Sequence, residues 1–292
     1  MRKTNFFLIF SLLCFSLLAQ STFNPNDSIY KTIPQRVDLR PLMTPVKKQG
    51  DRSTCVVFAA ISLIEFEYKR LYNIDIDLSE EFLVYQIKKD TNSSLNEEDN
   101  MVNTGLKLMN GFLLEKDYPY EPSWFEKGYP CEGRAYDGSD STVDRRCFSH
   151  DGPDKKALKK VFTPTVRLPL LVDTNFELNH NIEILAKERK PIVFLYPLHN
   201  VEKSWPNSGK INYSDTLVCP QKNNCPMHFT VICGYDLKEK VFFVRNSWGQ
   251  EWGENGYGTL SFDDFYNFAW SGLWHMGELN KNDLPLPKHF KK

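Results

Sequence analysis

The chain has 292 residues and a formal net charge of −1, so nothing in its charge suggests a nucleic-acid or acidic-membrane partner, a basic face on a near-neutral protein being the disfavoured alternative. Its composition, 41% hydrophobic and 14% aromatic, is enough to build the core of one large domain or two modest lobes.

Residues 1–20 read "MRKTNFFLIFSLLCFSLLAQ". A charged start (Arg2, Lys3), an apolar run too short to span a bilayer comfortably, and an end at Ala19 and Gln20 make a signal-peptide pattern, cleaved after one of those two residues. A secreted or periplasmic/extracellular protein is therefore expected, with no stable membrane association after cleavage. An uncleaved anchor is the plainer alternative. A lipidated Cys14 is disfavoured because Leu13 is larger than the small residue that usually precedes such a cysteine.

Residues 21–33 form a short polar leader. The stretch "IPQRVDLRPLMTPVKKQG" has three prolines and little periodicity, which predicts extended chain. A helix is predicted from Cys55 to Tyr72, capped by Ser53 or Thr54; because it is apolar on nearly all sides, it should be central and buried. "LSEEFLVYQIKKD" predicts a second helix, with Ser79 as cap, Glu80 and Glu81 at its positive end and Lys88 and Lys89 at its negative end. "DNMVNTGLKLMNG" predicts a third, closed by Gly111. Residues 121–155 read as a loop insertion. Beyond them "IEILAKERK" suits a helix, and "PIVFLYPL", "FTVICGYD", "KVFFVRNSW" and "GYGTLSF" suit strands. The chain is thus α+β, helical in its first half (about 50–125) and mainly β in its second (about 150–275). The basic stretch 281–292 reads as a solvated tail.

Export permits disulfides. Cys131 and Cys147 flank a polar Gly/Ser/Asp-rich stretch, and Cys219 and Cys225 flank "PQKNN", so each pair is expected to staple a local loop. Cys55 and Cys233 are left. Cys233, inside an apolar strand, is expected to be a buried thiol. A Cys55–Cys233 bridge and a plain core thiol are the rival readings of Cys55. Zinc held by Cys219, Cys225 and His228 is disfavoured, because the sequence offers no evident fourth ligand.

Cys55 stands at the first turn of the central helix, where the partial positive charge favours a thiolate. A thiolate nucleophile needs an acid/base partner, and His228 at the mouth of an apolar strand is the fitting imidazole. The imidazole needs an orienter, which Asn246 at the end of the next strand supplies. Acyl transfer also needs donors for an oxyanion, met by the side-chain amide of Gln49 and the backbone N–H of Cys55.

The segments "QGDRSTC", "MHFTVICGYD" and "NSWGQEWGENGYG", in that order, resemble the papain-like cysteine peptidases, and the resemblance extends over about residues 34–275. "VDLRPLMTPVKKQG", "LSEEFLV" and "DYPYEP" match that family's connecting segments. The resemblance implies a two-lobe fold, a helical left lobe and a β-barrel-like right lobe with the site in the cleft between, within a peptidase domain spanning 34–280. It implies Cys55 as nucleophile, His228 as acid/base, Asn246 as its orienter and Gln49 as oxyanion donor. It further implies Trp248 as a shield over the Asn–His bond and Trp252 on the leaving-group side. No cofactor or metal is implied; the partners would be peptide or protein substrates, and a monomer is expected.

The chain departs from the family pattern in several places. Arg52 stands where a disulfide cysteine is usual, Val56 where Trp is usual, and the Gly-rich wall before "YPY" is missing. Only a short leader separates the signal from the domain, so synthesis without an inhibitory propeptide is expected. An exopeptidase whose Cys131–Cys147 loop restricts the cleft, using Arg134, Arg145, Arg146 or His150 against a carboxylate, is an alternative. A non-peptidase acyl transferase or amidase on the same scaffold, or an inactive peptide-binding homologue, completes the set.

Overall fold

Helix α1 spans Cys55–Tyr72, as the apolar run predicts, and every residue from 56 to 68 is buried. It stops at Asn73, whose left-handed backbone (φ 56°) ends the ladder while its N–H bonds the carbonyl of Lys69. Helix α2 spans Glu80–Thr91, and the Ser79 hydroxyl accepts from the Phe82 N–H at 3.0 Å, the cap that the sequence predicts. A computed structural model gives this fold and describes residues 23–50, 52–91, 108–121, 152–168, 170–173, 177–198, 205–212, 226–268, 271–287 and 290. The third expected helix lies outside these residues apart from a 3-10 turn, Leu108–Asn110, before Gly111. The signal segment 1–20 and all four cysteines of the expected staples lie outside them too.

Among the described residues the second half supplies all strands but the first of one eight-stranded sheet. Its strands are β1 (Arg36–Asp38), β2 (Leu170–Asp173), β3 (Ile192–Pro197), β4 (Lys210–Ile211), β5 (Met227–Asp236), β6 (Val241–Arg245), β7 (Tyr257–Ser261) and β8 (Ser271–Met276). The order is β2-β8-β3-β5-β6-β7-β4, with β1 added to β5. Every pairing is antiparallel except β4 with β7. The short "DLKEK" connection makes β5 and β6 the hairpin that the sequence predicts. Gly234 lies where their register shifts, at φ 155°, and a Cβ there would meet the Val37 carbonyl at 2.2 Å. Only glycine lets β1 close on β5 at this point. A helix at Leu178–Glu183, running on as a π turn to Glu188, covers the expected "IEILAKERK" segment. Helix α1 packs between α2 and β5, so the helical half leans on the sheet along one buried seam.

Two expectations at the chain ends change. The leader is docked: Phe23, Ile29 and Ile33 pack on the core, and the Tyr30 hydroxyl donates to Asn179 Oδ1. The stretch read as a solvated tail lies on α1. Leu284 is fully buried, and the hydroxyls of Tyr68 and Tyr72 donate to the carbonyls of Pro285 and Leu284. Burial of its leucine, at Leu284, decides the placement of the described part of this stretch.

Where α1 meets α2, the Lys47 ammonium bonds Glu65 at 2.8 Å, Glu80 at 3.0 Å and Asp77 at 2.8 Å. Burial pushes the Glu80 carboxyl up to about 8, with Lys47 opposing and Glu65 and Glu115 adding to the rise. Burial likewise pushes Glu115 up to about 7. Both groups keep in the folded state a proton that the unfolded chain releases near 4.5. Their contribution to stability is therefore full below that pH and is lost as pH rises through 7 to 8. In thermal melts from pH 4.5 to 8, Glu80→Gln is expected to flatten the alkaline loss relative to wild type. Parallel curves for the two proteins would refute this origin.

Candidate active site

Cys55 is the first residue of α1, carries a thiol and is partly exposed. Thr54 holds the N-cap position, but its own side chain does not cap the helix. The Thr54 hydroxyl instead meets the Tyr120 hydroxyl at 2.7 Å, so of the two residues expected as caps Thr54 holds the position without a side-chain cap bond. Cys55 therefore stands at the positive end of α1.

Across the seam, His228 sits near the start of β5 and is 2% exposed. Its Nε2 lies 2.8 Å from Asn246 Oδ1, just beyond the end of β6. A carbonyl oxygen only accepts, so Nε2 carries the proton and Nδ1 is the acceptor of the neutral ring. Burial pushes the imidazole down to about 4, opposed by the Asn246 bond. A His whose folded pKa is depressed confers stability above its unfolded value of 6.5, and that stability is lost as pH falls towards 4. It therefore works against the gain from Glu80 in acid, and the difference between the wild-type and Glu80→Gln melts is what isolates the carboxyl.

Two indoles meet the imidazole and a third backs them. Trp248 stacks on it at 4.9 Å with an interplanar angle of 28°, and Trp205 meets it edge-on at 5.5 Å. Trp252 is 3% exposed and packs edge-on to Trp248 at 5.8 Å, behind the ring that covers His228.

Gln49 is held from the same strand end. Its backbone N–H donates to the Ser247 carbonyl at 2.8 Å, and its side-chain oxygen accepts from the Ser247 hydroxyl at 2.6 Å. Its amide Nε2 donates to the Arg52 carbonyl at 2.7 Å, closing the turn that leads to Cys55. A small cavity on the seam is lined by Phe58 and Ala59 of α1, Thr230 and Val231 of β5, and Asn246 and Ser247. One set of interactions therefore joins Gln49, Ser247, Asn246, His228, Trp248 and Trp252, while the Gln49 turn carries it to Cys55.

The second described thiol, Cys233, is fully buried in β5, as the sequence predicts, and burial pushes it up to about 12. A Cys55–Cys233 bridge does not form. Among the described residues, no group of three or more His, Cys, Asp or Glu side chains is placed to hold a metal. The Cys219/Cys225/His228 zinc set and the carboxylate-capturing loop of the exopeptidase reading lie wholly or partly outside those residues.

Sequence reasoning passes over Trp205, Ser247 and Tyr120. Ser247 and Tyr120 stand inside quoted motifs, next to Asn246 and within "YPY", and were open to notice. Trp205 stands in the polar run "EKSWPNSG", which gives no sign of its partner.

A family model described as "Papain family cysteine protease" matches residues 33–181 and 192–267. The chain is 27% identical over 225 residues to a viral cathepsin of Heliothis zea nuclear polyhedrosis virus, covering 74% of this chain and 48% of that protein. It is 28% identical over 234 residues to cysteine proteinase 1 of Entamoeba histolytica, covering 77% of this chain and 62% of that one. The chain thus spans between about half and under two thirds of the length of these curated relatives. Among solved structures, xylellain, a cysteine protease from Xylella fastidiosa, superposes with a TM-score of 0.63 at 21% identity, over 89% of this chain and 91% of that one. A Carica candamarcensis cysteine protease in complex with E-64 superposes with a TM-score of 0.57 at 18% identity, over 85% of this chain and all of the other. At these identities the two structures speak for the two-lobe fold.

Proposed function

The chain belongs to the papain family of cysteine proteases, and we propose that it hydrolyses peptide bonds in peptide or protein substrates through Cys55, His228, Asn246 and Gln49. The observation that carries this reading is the 2.8 Å His228–Asn246 contact, set under Trp248 and tied through Ser247 to Gln49. With Nε2 committed to Asn246, Nδ1 is the nitrogen that exchanges protons with the thiol and the substrate. A thiolate at Cys55 supplies the negative charge that offsets the cost of an imidazolium in so buried a place.

The thiolate attacks the peptide carbonyl carbon and the C=O electron pair moves onto oxygen. The Cys55 backbone N–H and a Gln49 Nε2 N–H donate to that oxyanion. The C–N bond then breaks as His228 protonates the departing amine, leaving a thioester. Water, losing a proton to His228, attacks the thioester and the thiolate departs with the acid released. Asn246 and the Trp248 face hold the imidazole on line throughout.

The wider assignment is also ours: a peptidase unit at 34–280, exported behind residues 1–20 and acting outside the cell or in the periplasm. Among the described residues, no helix is long and apolar enough to cross a membrane.

Labelling by a thiol-directed epoxide, mapped by mass spectrometry, together with turnover of a peptide amide tests the reading. A wild-type protein that neither labels at Cys55 nor cleaves peptides would end it. Within it, Gln49→Ala is expected to lower kcat by about 10²–10³-fold with KM little changed, because the amide is needed most when the oxyanion forms. A change confined to KM would assign Gln49 to substrate binding instead.

A further inference from the structure

In the turn between Gln49 and Cys55, Arg52 is 1% exposed. Its guanidinium takes both oxygens of Glu81, Nη1 to Oε2 at 2.5 Å and Nη2 to Oε1 at 3.1 Å, and Glu81 is also buried. Nη1 donates in addition to the Glu121 carbonyl at 2.9 Å, and the Glu121 N–H faces Glu81 Oε2 at 3.5 Å. The guanidinium lies 4.6 Å over the Tyr120 ring. Tyr120 reaches both ends of the turn, donating to the Gln49 carbonyl at 2.9 Å and meeting the Thr54 hydroxyl at 2.7 Å.

Gln49 itself is the inner half of this arrangement, since its Nε2 donates to the carbonyl of Arg52. Any shift of the Arg52 backbone therefore moves the amide that is read above as an oxyanion donor. A fully buried ion pair is weak as a source of stability, because an apolar pair of similar volume often serves as well. What a bidentate guanidinium–carboxylate fork adds is a fixed plane and a fixed distance.

We propose that Arg52, clamped by Glu81 and Tyr120, is a positioning residue for the oxyanion donors: it fixes the Gln49–Cys55 turn so that the Gln49 amide and the Cys55 backbone N–H converge on one point. This rests on the peptidase reading and adds the residues that set its geometry. The clamp takes no part in the chemistry and touches no substrate. It acts only through the 49–55 turn.

The test compares wild type, Arg52→Lys, and Arg52→Met combined with Glu81→Leu, with rates normalised to the Cys55 sites titrated by the epoxide. The double variant leaves no lone buried charge and is expected to fold. Its kcat per titrated site on a peptide amide is expected to fall roughly 10- to 100-fold with KM within about twofold, the mark of a misplaced transition-state donor. Arg52→Lys keeps the charge and loses the fork, so a smaller fall in the same direction is expected. A purely structural clamp would lower the titratable fraction and leave kcat per site untouched. That result in the double variant overturns the proposal, and if the double variant does not fold, the same result in Arg52→Lys overturns it. Wild-type protein that neither labels nor turns over removes the peptidase reading and this proposal together. Active wild type with unchanged variants removes this proposal alone.

Discussion

Replacing Cys55 with alanine is expected to lower peptide turnover by on the order of 10⁴- to 10⁶-fold, the scale on which removal of a nucleophile acts in triad enzymes. The fold should survive, because Cys55 opens α1 at a partly exposed position and fills no core space. Cys55→Ser should be nearly as inactive, since a hydroxyl is far harder to ionise than a thiol at the same helix end. Of the two described thiols, Cys233 does not compete for the label. It is fully buried and pushed up to about 12, so at neutral pH it presents neither access nor a thiolate. Epoxide label is therefore expected on Cys55, retained in Cys233→Ala and absent in Cys55→Ala. Turnover by Cys55→Ala within about tenfold of wild type would remove the thiolate mechanism whatever the label showed.

Much of this architecture was open to reading from residue order. The limits of α1 follow from a polar turn before Cys55, an apolar run on every side, and Asn73, whose side chain tolerates the left-handed turn. The β5–β6 hairpin follows from two β-branched, aromatic runs and a short polar connection, and it sets His228 on β5 and Asn246 just past the end of β6. The clamp at Arg52 was closed to such reading. "DRST" is an ordinary polar turn, and nothing local says that its arginine is buried or that Glu81, expected to serve the α2 dipole, is its partner. The loss of a disulfide cysteine at position 52 was visible, whereas the non-covalent tie that occupies its place was not. Burial of a charge is a tertiary fact, decided by what packs over it. The C-terminal stretch misled for a related reason. Its lysines dominate the composition, while its placement depends on Leu284 finding the Tyr68–Tyr72 face of α1.

The largest effect on stability is expected at Lys47. Its ammonium is the cation shared by Glu65 and Glu80, which are 0% and 2% exposed, and it also holds the Leu78 carbonyl at 2.8 Å. Lys47→Met keeps the length of the side chain and deletes the charge. Glu80 adapts readily, since burial already leaves it protonated up to about 8. Glu65 is fixed in place by both oxygens, which accept from the Thr44 hydroxyl at 2.5 Å and the Leu78 N–H at 2.9 Å. Breaking a buried pair from one side costs about 3–5 kcal/mol. At about 2–4 °C per kcal/mol for a chain of this size, the melting temperature should fall by roughly 6–20 °C. Adding Glu65→Gln to Lys47→Met removes the stranded charge and is expected to restore at least about half of that loss. The rescue separates a charge effect from a packing effect, because a glutamine fills the same space. If Lys47→Met melted within about 2 °C of wild type, the ammonium would be a surface charge that happens to reach inward. The seam would then have to be held by the apolar contacts of α1 alone.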